Sequence, residues 1–557
     1  MRKFTTALFA ATLMAGCSST PKADSELELA QKSPHLAAIP AETPYALASL
    51  EPMPMGEMVD MLGQLGTAMD ALSGQMAAML TPQSTTAERF AVAYLEEFRG
   101  KWNREGLESL GFSMSPRTAV YGISWLPVFR YETKDPEAMK GLIQRIETRA
   151  GLTSTEQKIG EYTYKAYAND DGVFALSFQG NELVMGFTPT STAELYLPYL
   201  VGEKKPEDNI LKSRALELLT EKYGFKPYFL GFVDIERIVQ MLVSPQPGLN
   251  EDIAARLSPE RDLSMSPVCQ TEIRSLAAKY PRMVMGYDEW TSTQFSARGG
   301  LEMTNGLGAK LAKTRTSIPA SNSTYANDAM AAFGAGIDMG ALVQVAVEMA
   351  NAHRETPFQC EELAEFNQAA EQFGALSMMI PPVVSQLQGV NVILKDIKAP
   401  ANGPQAPQGD LAVAPTGEYT AAVVIRSSNA VGLMDFLKMT APELANLAVQ
   451  PDSVAVAIPD LASMGVPPGN YFLSMTPNQI GIAAGQTAAD DVVELANAAP
   501  TETPWITFSY DAVRLIDALG GAPELEGMSK MFLGPVQMEV IPNDSGVFFT
   551  YRQQFAE

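Results

Sequence analysis

Two stretches nearly three hundred residues apart carry the same strand, turn, strand pattern, and this recurrence constrains the fold more than any other feature of the chain. Leu176-Ser177, with Asn181 and Leu183 following, matches Leu473-Ser474 with Asn478 and Ile480, 297 positions further on. Each is an alternating apolar run, a Gly/Pro/Asn break and a second apolar run. Pro227-Tyr228-Phe229 leads into Asp234-x-x-Arg237-Ile238-Val239, as Pro504-Trp505-Ile506 leads into Asp511-x-x-Arg514-Leu515-Ile516, 277 positions on. In both, a β-rich run ends at an aspartate placed to cap the helix after it. Weaker echoes keep the same order: Asp135-Pro136 with Asn429, Ile39-Pro40 with Ile318-Pro319, Glu51 with Asp338, and the runs around Phe295 and Phe548. Order-preserving matches at similar separations point to duplication, at a period far too long for a solenoid.

The expected architecture is α+β, with two tandem related modules over 39–316 and 317–557. Strand signals cluster between helices, which predicts mainly antiparallel sheet with helices packed on one face. A Thr85-x-x-Glu88 capping box predicts a helix over 86–100 ending at Gly100, and Asp135-Pro136 predicts another over 136–149. The Pro/Gly/Ala-rich stretch 397–418 is expected to be a surface loop.

With 46% hydrophobic residues in 557, the chain has material for more than one core. It carries 64 acidic against 40 basic side chains, a net charge of −24. That balance repels nucleic acid and anionic headgroups, so nucleic-acid binding is not expected.

The first sixteen residues look like an export signal. Arg2 and Lys3 precede an apolar stretch from Phe4 to Met14 that is too short to span a bilayer. The run Leu13-Met14-Ala15-Gly16-Cys17 resembles a bacterial lipobox, with Met14 where Leu is usual. The resemblance implies that residues 1–16 are removed, that Cys17 is acylated, and that the membrane is the partner reached through the lipid. Ser18 after the cysteine implies the outer membrane, on its periplasmic face. Without Arg2 and Lys3 the charge becomes −26. From residue 17 to 38 the chain is polar and aperiodic, and is expected to be a flexible tether. The run Tyr121-Gly122-Ile123-Ser124-Trp125-Leu126-Pro127-Val128-Phe129-Arg130, followed by Asp135-Pro136, resembles a stretch of uncharacterised proteobacterial lipoproteins with a duplicated α+β domain. That likeness implies architecture and address but no activity.

Export leaves Cys269 and Cys360 as an even pair in an oxidising compartment. Ser266-Pro267 and Thr356-Pro357 each look like a helix start just before a cysteine. A structural disulfide between them is expected, against the rival that a helix N-terminus makes either thiol reactive. It would close a 91-residue loop and restrict the unfolded chain by about 4 to 5 kcal/mol on the chain-entropy model.

Catalytic chemistry has few candidates. The two histidines, His35 in the expected tether and His353 near a helix end, are too isolated for a zinc site or a nucleophile relay. No nucleophile elbow, P-loop or H-E-x-x-H motif occurs, so no catalytic residue, metal site or cofactor is assigned. Gly334-Ala335-Gly336-Ile337-Asp338-Met339-Gly340 is one residue too long for a dinucleotide fingerprint, and close backbone packing explains it. Asp234 with Arg237 and Asp511 with Arg514 are expected to be helix caps. Asn169-Asp170-Asp171-Gly172 lacks the spacing of a calcium loop and is expected to be a hairpin turn.

Methionine is the oddity, 29 in all. Met53, Met55, Met58, Met61, Met69, Met76 and Met79 crowd one early segment. Three readings compete there: buried core, a plastic apolar groove for a lipid, peptide or lipoprotein tail, and a thioether site for Cu(I). The expected function is a lipid-anchored envelope protein of non-catalytic binding or scaffold type. The alternatives are a carrier or chaperone using the groove over 53–80, a Cu(I) binder and, last, a hydrolase with an unrecognised carboxylate site.

Overall fold

The computed structural model describes residues 33–62, 66–81, 84–243, 248–257, 265–398, 418–458, 469–501, 504–518 and 534–555. Cys17 and the whole expected signal lie outside the described residues. So does most of the expected loop 397–418, of which Ile397, Lys398 and Glu418 belong to strands.

In chain order the first ten strands are β1 (Tyr45–Ala48), β2 (Thr118–Ile123), β3 (Leu126–Glu132), β4 (Thr155–Ile159), β5 (Tyr162–Ala168), β6 (Gly172–Gln179), β7 (Glu182–Pro189), β8 (Leu230–Asp234), β9 (Arg282–Trp290) and β10 (Gln294–Glu302). Nine more follow: β11 (Ala331–Ala335), β12 (Leu387–Lys398), β13 (Glu418–Ser427), β14 (Val456–Ile458), β15 (Tyr471–Thr476), β16 (Gln479–Ala484), β17 (Ile506–Asp511), β18 (Pro535–Asn543) and β19 (Gly546–Gln554). Every pairing is antiparallel, and together they make one continuous sheet. From one edge the order runs β4-β5-β6-β7-β3-β2-β1-β8-β9-β10. From the other it runs β14-β15-β16-β13-β12-β11-β17-β18-β19.

β10 and β19 join the two runs, in register from Gln294↔Gln554 to Glu302↔Gly546. At this seam Gly300 lies opposite Phe548, where a Cβ would fall 2.2 Å from the ring. The glycine therefore admits Phe548, which is buried in the first half's core against Tyr223. Glu302 closes the seam, accepting from Lys222 Nζ at 2.6 Å, Arg282 Nε at 2.7 Å and the Tyr223 hydroxyl. Burial alone would raise this carboxyl, but those hydrogen bonds hold it down at about 2.

Helices cover both faces of the sheet, not the one face expected. On β6, Ala175 packs with Tyr196 and Leu200 on one side while its neighbour Leu176 packs with Met139 and Leu142 on the other. Alternating side chains point to opposite faces, so the nearly continuous apolar run Val173–Leu176 buries both. In the second half too both faces are buried, with Val424 against Leu495 on one side and Ile480 against Leu433 on the other.

Local signals were accurate where capping chemistry was explicit. The helix Thr86–Phe98 starts on the full Thr85/Glu88 capping box. Asp135 caps Pro136–Ala150 through the amides of Glu137 and Ala138, and Gly151 ends it in the left-handed conformation. The last residues of the expected tether belong to the fold. Residues Pro34–Ala38 form a turn of 3-10 helix, with Ser33, His35 and Leu36 buried against the segment after β1.

Candidate functional site

An apolar cavity of about 940 Å³ lies under two helices of the first half. Its floor follows from strand alternation: Phe129 and Tyr131 on β3, Leu183 and Met185 on β7, Leu176 and Phe174 on β6 and Tyr167 on β5 all point to one face. The helix Pro136–Ala150 contributes Met139, Leu142, Ile143 and Ile146, an i, i+3, i+4, i+7 stripe. The helix Thr86–Phe98 presents Phe90, Tyr94 and Phe98, four residues apart, so their rings stack along one side with centroids 6.3 and 4.5 Å apart. Phe112 continues that wall, 5.6 Å from Phe98 and 5.8 Å from Tyr131.

The lips are exposed aromatics, Phe90 at 45% and Tyr94 at 39%. Salt bridges from Arg145 and Arg149 to the buried Glu97 tie the two covering helices together.

Glu147 is the one charged residue of the lining, and its carboxylate is already engaged. It accepts from Lys165 Nζ at 2.7 Å, from Ser154 Oγ at 2.8 Å and from the Tyr167 hydroxyl. Burial pushes this carboxyl up, but the three donors outweigh burial and leave it below the usual carboxylate range. Burial raises the phenol of Tyr131 to about 12 and shifts that of Tyr94 the same way, so both stay neutral. The site thus offers shape and a mostly apolar surface, with the carboxylate of Glu147 already engaged.

The methionine-rich segment lies elsewhere. Met53 is buried, Met55, Met58, Met69 and Met76 are partly covered, and Met79 is 75% exposed. The side chain of Met61 lies outside the described residues. None of the described methionines of the segment 53–80 lines this cavity, whose own methionines are Met139 and Met185.

Asp234 and Asp511 cap helices, accepting from the amides of Arg237 at 2.8 Å and Arg514 at 3.1 Å. The Arg237 guanidinium donates to the carbonyls of Ala41 and Thr43, and that of Arg514 to those of Asp328 and Lys395. Each arginine fastens a loop, as expected of structural pairs. Cys269 and Cys360 are joined in a buried disulfide with Cα atoms 4.6 Å apart. Ser266 caps the helix Pro267–Ala277 as expected. Thr356-Pro357 begins no helix, because the carboxylate of Glu272 takes the amides of Gln359 and Cys360 and holds that strip extended. His353 bonds to Asn367 at 2.7 Å and packs at a tilt against Phe358, filling a helix junction. At the glycine-rich turn, a Cβ on Gly336 would lie 2.6 Å from the Thr316 carbonyl, so tight backbone packing accounts for it. Asn169 closes its hairpin by accepting from the amides of Asp171 and Gly172.

No protein-family model matches this chain, and neither does any curated protein or solved structure.

Proposed function

We propose that this chain is a lipid-anchored envelope protein built from two copies of one α+β unit, and that its first copy shelters an apolar ligand in the cavity under the helices Thr86–Phe98 and Pro136–Ala150. Duplication is supported by the two strand orders, which agree once β4 and β5 are set against the single strand β14. It is supported too by equivalent details: Asn181 O accepts from Thr133 N at 2.7 Å and Asn478 O from Ser427 N at 3.0 Å, each turn latching the strand beside it. The separation between sequence matches falls from 297 to 277, and the first half carries two helices between those matches, Ile210–Ser213 and Ala215–Tyr223, that the second lacks.

Ligand binding rests on one comparison between the halves. After the helix Ala430–Thr440, the second half lays residues 441–455 back over its own sheet before β14. Leu444, Leu447 and Val449 are buried there against Leu433, Leu473 and Ile480. After Pro136–Ala150, the first half passes through 151–154 straight into β4, and the matching place above Leu142, Leu176 and Leu183 is the cavity. What one half fills with its own chain, the other leaves open and apolar. A large dry surface with an aromatic mouth is favourable to cover with any apolar group of fitting shape, since burial is worth about 25 cal/mol per Å².

Purification from membrane extract, followed by denaturation and mass spectrometry, tests this reading. Lipid or another apolar molecule is expected in stoichiometric amount. Ile143→Trp, which pushes an indole into the cavity, should weaken both retention of that cargo and uptake of a fluorescent fatty acid while leaving circular dichroism unchanged. An unacylated Cys17→Ser form that purifies empty and takes up no probe would end the reading.

A further inference from the structure

We infer that the cavity's resting occupant, when the protein is away from a bilayer, is a fatty-acyl chain carried by its own Cys17. This rests on the proposed apolar-ligand function and deepens it by naming the ligand and its source.

The lining decides the chemical class. A peptide entering the cavity brings backbone N–H and C=O groups that need partners. The only ionised acceptor there, Glu147, is saturated by Lys165, Tyr167 and Ser154. In the second half, residues 441–449 meet that need by turning on themselves, with the amides of Leu444 and Leu447 bonded to the carbonyls of Ala441 and Leu444. An acyl chain has no such groups and loses nothing on entering.

The length of chain preceding the described fold, and the place where that fold begins, decide the source. Ser33 Oγ donates to Leu50 O at 2.6 Å, Met53 N to Pro116 O at 3.0 Å, and the Tyr131 hydroxyl to Ser113 O at 3.3 Å. Joined by two three-residue steps of chain, these contacts put Ser33 within roughly 40 Å of the cavity wall. Sixteen peptide steps separate Cys17 from Ser33, a reach of about 55 Å when extended. The acyl group is therefore tethered within range of the site at high effective concentration. A bilayer or an external ligand would compete with it, which couples cavity occupancy to membrane attachment.

The test compares the acylated protein with an unacylated Cys17→Ser form, both in detergent-free buffer, using a fluorescent fatty acid as probe. Cys17→Ser is expected to take it up at least about tenfold more tightly, because no tethered chain competes. A photoreactive benzoyl-phenylalanine in place of Phe90 gives a second readout that a folding defect would not imitate. Irradiation should join the Phe90 peptide to the acylated Cys17 peptide. Equal probe uptake by the two forms, or a photoproduct with a separate phospholipid in place of Cys17, overturns this inference while leaving the cavity's apolar role standing. Absence of uptake by Cys17→Ser overturns the proposed function itself.

Discussion

His35 shows how a residue expected in a mobile leader becomes part of the fold. Its Nε2 meets the Ser49 carbonyl at 3.0 Å, and burial lowers its pKa to about 3, with Arg130 and Arg117 adding to the effect against the opposing Ser49 hydrogen bond. A base whose folded pKa lies below its unfolded value near 6.5 leaves the unfolded chain holding more protons between those limits. Stability from this group is thus complete above pH 6.5 and lost as pH falls towards 3. Urea denaturation at pH 7 and pH 5 should show a loss of about 2 kcal/mol that His35→Gln removes. Glu302 also loses stabilisation in acid, but from below about pH 4.5 down to its folded value of about 2, so it adds little between pH 7 and pH 5 and the two effects overlap only below about pH 4.5. His35 has helix-breaking Pro34 and Pro40 around it, and nothing in that pattern announced burial.

Among the elements, the helix Thr86–Phe98 links legible sequence to the candidate site. Its start was written in Thr85 and Glu88, and the Phe90, Tyr94, Phe98 spacing followed once the helix was placed. That Phe90 and Tyr94 roof a cavity was not written, because the floor comes from β3, β5, β6 and β7, up to about ninety residues away. Thr85→Ala removes the cap's side-chain acceptor and should lower stability by about 1 kcal/mol, seen as faster amide exchange in the first turn of this helix and weaker probe retention. Unchanged exchange there would show that tertiary packing holds the helix without its cap.

For the whole molecule, the seam between β10 and β19 and the Cys269–Cys360 disulfide both join the first half to the second. The disulfide closes a loop of 91 residues. Reduction, or Cys269→Ser with Cys360→Ser, should lower unfolding free energy by up to about 4 to 5 kcal/mol, read as a drop in the urea midpoint. A midpoint that does not move would show that the seam alone carries the coupling. Sequence by itself determined the antiparallel α+β class, the recurring strand and turn signals, the caps at Thr85, Asp135, Asp234 and Asp511, and the cysteine pair, because each depends on residues within a few positions or on simple parity. Tertiary structure alone decided that the strands form one sheet clothed on both faces, and that space remains in one half where the other is filled. Empty volume is set by how distant side chains fail to meet, and that sum over the whole packing has no local signature.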